Sequence, residues 1–372
     1  MGNNSMFDSY TLPSGVTLKN RILMAPMTTY SSEKNGDISE DELIYYARRA
    51  KSGIGAVITA CAYAEPLGAG FQYSIGAESD ERIPSLQKLA SAIKDNGSKA
   101  ILQIFHAGRQ SNSNVLKGEQ PVSASAVAAP RDNAEVPREM TEEEIEKTIA
   151  SFKEATRRAI EAGFDGVEIH GANTYLIHQF FSPHSNRRTD KWGGNLEKRM
   201  TFPLAIVDAV QTAANQYTKE PFIIGYRFSP EEYQDPGFTM DDTLKLLRVL
   251  AEKDLDYLHV SLGHFFGSSN RDESDTTPRI ELIQEAIGDK VPVIGVGTLE
   301  SREDIEKALQ VTPLVAIGRA LVTDPEWFSK MEKGEDDSIF PAVYVSKKEE
   351  LDIPNPLWDK IMQVKGWFKV AD

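Results

Sequence analysis

The sequence predicts an α/β fold, a (β/α)8 TIM barrel, from three observations. Short runs rich in Val, Ile and Ala alternate with amphipathic stretches, which is the pattern of a buried parallel sheet whose strands are joined by helices. Eight such runs occur in the 372 residues, and α/β barrels of this length form a single domain. Right-handed crossovers between eight successive strands favour a closed barrel over an open, doubly wound sheet.

The predicted strands are spread along most of the chain. They are Arg21–Met27, Ala56–Ala64, Lys99–Gly108, Gly166–Ala172, Phe222–Ser229, Tyr257–Gly263, Val291–Gly297 and Leu314–Ala320. Helix start signals lie between them, namely Ser39, Thr239 and two pairs with capping-box spacing, Thr141 with Glu144 and Ser301 with Asp304. The predicted organisation is one barrel domain over residues 1–334 and a C-terminal extension over 335–372.

Three segments depart from the strand–helix repeat. The extension 335–372 contains several prolines and the aromatic residues Trp358, Trp367 and Phe368, and we expect it to pack either on the barrel or on a neighbouring subunit. The sequence therefore leaves open whether the protein forms a homo-oligomer. The polar segments 109–140 and 264–277 follow the third and sixth strands, at the end of a barrel where sites and lids are built.

Charge and composition exclude several classes of function. The chain has 41 basic and 56 acidic residues, a net charge of −15, which repels a nucleic acid backbone and an anionic membrane surface. It has no run near the ~20 apolar residues that span a bilayer, and its start, MGNNSMFDSY, lacks signal-peptide character. We expect a cytoplasmic protein. Cys61 is the only cysteine, which excludes an intramolecular disulfide and a cysteine metal cluster, and no histidine–carboxylate spacing predicts a metal site.

Polar residues at the C-terminal ends of barrel strands are the catalytic candidates. The set comprises Pro26, Met27, Thr28 and Tyr30 after strand one, Gln103, His106 and Arg109 on or after strand three, His170, Asn173 and Tyr175 on or after strand four, and Arg227 on strand five. His170 and Asn173 can aim two N–H donors at one oxygen, and the neutral phenol of Tyr175 can act as a general acid beside them. The other histidines of this region, His178 and His184, together with His259, are interpreted as structural.

Strands seven and eight end in glycines, at Gly295-Val-Gly297 and at Ile317-Gly318-Arg319. Glycine lets backbone N–H groups approach an anion closely, and an arginine adds a charge with fork geometry. This is where barrels commonly bind phosphate. The alternative interpretation is a tight turn whose arginine forms a surface ion pair.

Five segments resemble the signatures of the old yellow enzyme family, in the family's order. They are LKNRILMAPMTTYS (18–31), QIFHAGRQ (103–110), EIHGANTYLIHQFFSPHSNRRTDKWGG (168–194), YRFSP (226–230) and AIGRALVTDP (316–325). The third segment is long and irregular, so chance agreement is a poor explanation. The resemblance implies an NAD(P)H-dependent flavin oxidoreductase with non-covalent FMN on the barrel axis and NADH or NADPH as the reductant. It further implies ping-pong hydride transfer through flavin N5 to a small electrophilic alkene, an α,β-unsaturated carbonyl compound, with quinones and nitro compounds as further acceptors.

The same resemblance implies roles for individual residues. It places Ala25, Pro26, Met27 and Thr28 against the isoalloxazine, the Cys61 backbone at the second strand end, Gln103 at the pyrimidine edge, Arg227 near N1 and the C2 carbonyl, and Gly297, Gly318 and Arg319 at the phosphate. Tyr30, His170, Asn173 and Tyr175 would contact the substrate, with His170 and Asn173 on its carbonyl oxygen and Tyr175 as the proton donor.

The chain also departs from the family pattern. One subgroup has cysteine at the position of Thr28 and a second histidine at that of Asn173, whereas QIFHAGR and Tyr30 resemble that subgroup. The flavin potential and substrate range therefore do not follow from subgroup membership. In an iron–sulfur branch clustered cysteines follow the barrel; here none do, so direct reduction of FMN by NAD(P)H is expected.

Three alternatives stay open from the residues. An FMN barrel acting on RNA, such as a dihydrouridine synthase, is disfavoured by the net charge and by the lack of a loop cysteine. A flavin-free lyase or isomerase could use the strand seven and eight glycines for a substrate phosphate. A flavin-binding sensor or scaffold would lack turnover, which Tyr175, His170 and Asn173 argue against.

Overall fold

In the computed structural model, which describes residues 5–372, parallel strands form a closed barrel. Its strands are β1 (Ile22–Met24), β2 (Ala56–Ile58), β3 (Lys99–Phe105), β4 (Gly166–Gly171), β5 (Ile223–Phe228), β6 (Tyr257–Val260), β7 (Val293–Val296) and β8 (Leu314–Ile317). Each strand pairs with the next, and Ile317 of β8 lies opposite Met24 of β1, which closes the barrel. The predicted (β/α)8 fold is confirmed.

Helices connect the strands and cover the outside of the barrel. They are α1 (Glu40–Lys51), α2 (Ile83–Lys94), α3 (Glu142–Glu161), α4 (Leu176–Phe181), α5 (Leu196–Tyr217), α6 (Met240–Leu250), α7 (Arg279–Ile287), α8 (Arg302–Ala308), α9 (Arg319–Thr323), α10 (Trp327–Lys333) and α11 (Asn355–Gln363). The four predicted start signals, Ser39, Thr141, Thr239 and Ser301, each accept a hydrogen bond from the backbone N–H three residues on, and each completes a capping box.

Side chains alternate between the inside and outside of the barrel, as strand geometry requires. The lower interior is apolar and is filled by Leu23, Ile58, Ile101, Ile223, Tyr257, Ile294 and Leu314. An antiparallel hairpin, Tyr10–Thr11 with Thr17–Leu18, closes this end, and Leu12 and Leu18 join the same apolar cluster. Because the bottom is sealed by apolar residues, a ligand site must lie at the opposite, C-terminal end of the strands.

The C-terminal extension packs against the barrel. Its strands Val343–Tyr344 and Val370–Ala371 pair with each other, and its buried side chains include Leu351, Leu357 and Phe368. Arg49 of α1 donates a hydrogen bond to the Leu351 carbonyl oxygen (3.0 Å). The domain division at residue 334 stays a prediction, and residues 1–4 of the predicted barrel domain lie outside the described residues. In the part of the chain that the structure describes, none of the helices is long and apolar enough to cross a membrane.

Candidate active site

An open cavity of about 370 Å³ lies at the C-terminal ends of the barrel strands. Nine of the predicted site residues line it, namely Ala25, Pro26, Met27, Thr28, Tyr30, Arg227, Gly297, Gly318 and Arg319. We call this cavity the cleft. Sequence reasoning thus selected residues that lie far apart in the chain and that the barrel brings to one place.

His170 lies at the end of β4 with its ring buried. Its Nδ1 accepts a hydrogen bond from the Ala172 backbone N–H (3.3 Å), which assigns the ring proton to Nε2. Burial, assisted by the positive charge of Arg227, lowers the pKa of His170 well below 6.5. His170 is therefore a neutral imidazole with one free N–H donor.

Asn173 has left-handed backbone geometry (φ 56°), which asparagine tolerates better than most residues. Its backbone N–H donates to the Ser229 Oγ (2.9 Å), and its side-chain Oδ1 accepts from the Ser261 Oγ (2.8 Å). Two serines that follow β5 and β6 therefore hold this residue. Because the amide oxygen is already bonded, the Nδ2 group is left to donate to a ligand.

Tyr175 lies against His170 and is surrounded by aromatic rings. Its ring centroid is 4.9 Å from that of His170 and 5.1 Å from that of Phe105, both in edge-on geometry. Phe71 contacts both Tyr175 and Tyr30, with centroid distances of 6.3 and 5.5 Å. Burial raises the pKa of Tyr175 well above 10, so its phenol carries a proton at neutral pH.

A layer of buried polar groups spans the barrel beside the cleft. Gln103 Nε2 donates to Glu168 Oε1 (2.7 Å), and His259 Nδ1 bonds Glu168 Oε2 (2.8 Å). Arg227 lies between His170 and His259 in the strand register, and its buried Nε has no hydrogen-bond partner within residues 5–372. An unpaired buried donor is costly, so Arg227 fits a ligand that brings an acceptor, as the pyrimidine edge of a flavin does.

Cys61 is buried and packs with Phe105 and Ala107. Burial raises the pKa of its thiol to about 12, although a hydrogen bond with Thr28 acts in the opposite direction. A thiol in this state is neither a nucleophile nor a metal ligand at neutral pH. This agrees with the prediction that Cys61 takes part through its backbone.

The ends of β7 and β8 form the far side of the cleft. Arg319 donates to the Trp367 carbonyl oxygen (3.2 Å) and to the Thr298 Oγ1 (3.3 Å), and in the described residues it has no carboxylate partner. Over residues 5–372, Arg319 therefore does not form the surface ion pair that was the alternative interpretation of the sequence. Gly297 has φ +125°, and a Cβ there would lie 2.7 Å from the His264 carbonyl carbon. Gly295, in contrast, is occupied with packing, because the Phe265 ring lies where its side chain would be.

The C-terminal extension reaches the cleft at two points. Trp367 lines its wall beside Arg319, and the Lys360 Nζ lies 5.6 Å from the centroid of the Tyr30 ring. No local signal in the sequence connects Trp367 or Lys360 with the barrel motifs.

Other contributors could have been found from the sequence. Glu168 stands two residues before His170, so strand alternation places both inside the barrel, and a charged residue there needs partners. His259 and His178 form buried pairs with Glu168 and Glu232, and the interpretation of both histidines as structural stays a prediction. Across residues 5–372 the acidic, cysteine and histidine side chains form no group able to hold a metal ion.

A (β/α)8 barrel whose cleft combines glycine-rich strand ends, an unpaired buried guanidinium and neutral hydrogen-bond donors has the character of a flavin-dependent oxidoreductase. The model of the NADH:flavin oxidoreductase / NADH oxidase family matches residues 5–338, and this chain belongs to that family.

Relatives agree with this assignment. The chain is 46% identical over 369 residues to the probable NADH-dependent flavin oxidoreductase YqiG of Bacillus subtilis, covering 99% of this chain and 98% of that protein. It is 50% identical to the NADH:acrylate oxidoreductase of Vibrio harveyi and 47% identical to the NADH:fumarate oxidoreductase of Klebsiella pneumoniae, covering 95% and 96% of this chain. It spans only 35% and 39% of the length of these last two proteins.

Solved structures give the same result. An old yellow enzyme homologue from Zymomonas mobilis superposes with a TM-score of 0.76 at 26% identity, covering 89% of this chain and 93% of that one. Morphinone reductase gives a TM-score of 0.76 at 26% identity, covering 90% of both chains. The chain is an FMN-dependent NADH or NADPH oxidoreductase of the old yellow enzyme family, as the motifs predicted. This decides against a flavin-free lyase and against an RNA-modifying barrel.

Proposed function

We propose that the enzyme reduces the C=C bond of α,β-unsaturated carbonyl compounds, with non-covalent FMN as cofactor and NADH or NADPH as reductant. When bound, FMN would supply the chemistry of hydride transfer between the nicotinamide and the second substrate. The observation that carries the proposal is the arrangement of His170, Asn173 and Tyr175, which provides two free N–H donors beside a protonated phenol.

The two donors act on the carbonyl oxygen of the acceptor. Within residues 5–372, Ala172 and Ser261 bond the His170 Nδ1 and the Asn173 Oδ1, and His170 Nε2 and Asn173 Nδ2 have no hydrogen-bond partner. Donors held in place before the reaction stabilise the negative charge that grows on this oxygen as the β-carbon receives hydride. The carbonyl thereby activates the alkene.

Tyr175 supplies the proton that completes the reduction. Its ring is fixed by His170, Phe105 and Phe71, and its high pKa keeps the phenol protonated until a carbanion-like α-carbon needs the proton. The acid is therefore required for alkene reduction and dispensable for flavin reduction.

The remaining predicted residues would hold FMN. Arg227 and Gln103 would bind the pyrimidine edge, the Ala25–Thr28 segment would form a wall of the flavin site, and Gly297, Gly318 and Arg319 would bind the phosphate. Among residues 5–372 the Arg227 Nε has no hydrogen-bond partner and Arg319 forms no ion pair. Both observations support this assignment, because they leave these cations to an anionic or acceptor-rich ligand.

The names of two relatives support C=C reduction, since acrylate and fumarate both contain a C=C bond conjugated to a carboxyl group. The same relatives favour a second candidate. This chain corresponds to about a third of the length of these relatives. The second candidate function is therefore oxidation of NADH with delivery of the electrons to another acceptor, such as a quinone. The Tyr175 phenol distinguishes the two, because a quinone needs no proton at carbon.

The test is a two-stage assay of the purified protein. A visible spectrum should show bound flavin that bleaches with NADH or NADPH under anaerobic conditions, and an added enone should restore the oxidised spectrum and yield the saturated product by mass spectrometry. A parallel assay with a quinone measures the second candidate. Reoxidation by the quinone alone, with no saturated product from any enone, would reject C=C reduction.

A further inference from the structure

We propose that Glu168 sets the reduction potential of the bound FMN by offsetting the positive charge of Arg227 and so making the flavin harder to reduce. The inference goes beyond the proposed function. It requires FMN binding but does not depend on which acceptor the enzyme reduces, because the potential is measured without any acceptor.

Glu168 is the central group of the buried polar layer. Its side chain is fully buried inside the barrel, on the same face of β4 as His170. Gln103 on the neighbouring strand β3 donates to one of its oxygens (2.7 Å), and His259 on β6, two strands away, donates to the other (2.8 Å). Gly225 stands directly opposite Glu168 on β5, and the Tyr257 ring occupies the place of a side chain there. The absence of a side chain at Gly225 makes room for this ring.

The contacts favour an ionised carboxylate. Burial alone would raise the pKa of Glu168, but the hydrogen bonds donated by His259 and Gln103 and the positive charge of Arg227 hold it below its usual value. Burial in turn lowers the pKa of His259, which keeps that imidazole neutral. The layer then contains one negative charge, on Glu168, and one positive charge, on Arg227, both removed from water.

This pair of charges affects the two redox states of FMN differently. Arg227 alone would favour reduced flavin, which carries negative charge near N1, and the carboxylate of Glu168 cancels part of that effect. The Glu168 carboxylate and the negative charge of the reduced flavin are taken as two unit charges roughly 10 Å apart, at an effective dielectric constant of about 20. Removing the carboxylate charge then shifts the equilibrium between oxidised and reduced cofactor about tenfold towards the reduced form. That factor corresponds to about 30 mV for a two-electron couple.

Glu168→Gln removes the charge while keeping the size of the side chain. The amide oxygen can still accept from Gln103, and its NH₂ can donate to His259 Nδ1 once the imidazole proton moves to Nε2. Glu232→Gln is the matched control, because Glu232 is also buried and bonded to a histidine, His178 (3.1 Å). The two differ in their relation to Arg227: burial lowers the pKa of Arg227 and the charge of Glu168 raises it, whereas Glu232 is not among the main groups that act on it.

The potentials of the parent and both variants are measured against a reference dye at saturating added FMN. We expect a more positive potential for Glu168→Gln, equivalent to a shift of about tenfold towards reduced flavin in the redox equilibrium. The potential of Glu232→Gln should be unchanged. If Glu168→Gln cannot be recovered folded, His259→Leu replaces it: the carboxylate loses its donor, so the potential should rise more steeply than the parent's as the pH falls. A parental potential in Glu168→Gln, or an equal shift in Glu232→Gln, or a parental pH dependence in His259→Leu, would overturn the proposal.

Discussion

Removing both donors of the proposed oxygen site gives a prediction whose size follows from the structure. A para-substituted phenol should bind the oxidised enzyme as a phenolate, held by His170 and Asn173, and give a long-wavelength charge-transfer band. A hydrogen bond to a charged oxygen contributes ~1.5–3 kcal/mol. The double variant His170→Ala, Asn173→Ala should thus lose ~3–6 kcal/mol, or roughly 10²- to 10⁴-fold in Kd.

The assay is a spectral titration of the charge-transfer band at several pH values. Because the pKa of His170 is lowered, the imidazole is already neutral and does not gain a proton over the assay range. Once corrected for ionisation of the ligand, the Kd should therefore be flat between about pH 6 and pH 8. Ser261→Ala is the control: it leaves both donors and removes only the bond that orients the amide, so a loss of about fivefold is expected. An undiminished band in the double variant would show that these residues do not form the oxygen site.

Three further predictions concern the cofactor side of the cleft. Arg319→Ala should weaken FMN binding by roughly 10- to 150-fold, measured by flavin fluorescence, because a charge-assisted bond worth ~1.5–3 kcal/mol is lost; parental affinity would remove Arg319 from the phosphate site. Trp367→Ala should accelerate FMN dissociation several-fold, since the indole walls the cleft beside Arg319, and an unchanged rate would separate the extension from the site. Cys61, with a thiol pKa of about 12, should react with a thiol reagent at pH 8 only after unfolding, and rapid labelling of the native enzyme would contradict its burial.

The barrel could be predicted because its signals are local. Runs of Val, Ile and Ala mark each strand, and the residues Ser39, Thr141, Thr239 and Ser301 mark helix starts by a bond within one turn. The strands themselves are shorter than predicted at their C-terminal ends; β1, for example, ends at Met24, not Met27. At these ends the chain leaves the hydrogen-bonded sheet and lines the cleft. The apolar pattern of the sequence continues past this point, so it does not predict where each strand ends.

The supporting groups of the site were harder to predict because they depend on tertiary contacts. Ser229 and Ser261, which follow two other strands, form hydrogen bonds with Asn173. The residues next to these serines in the sequence do not predict either contact. Trp367 meets Arg319 across 48 residues of chain. Glu168 is a different case, since its position in a buried strand already indicated a partnered charge. The roles assigned to the cleft residues stay predictions.

The most direct measurement of the central claim is the rate of each half-reaction in Tyr175→Phe, followed by stopped-flow absorbance of the flavin. General acid catalysis typically contributes ~10²–10⁴-fold. We predict that reoxidation by an enone slows by roughly that factor, while flavin reduction by NADH or NADPH and reoxidation by a quinone stay near the parental rates. Parental reoxidation by the enone, or equal slowing of both half-reactions, would contradict an alkene reduction completed by proton transfer from Tyr175.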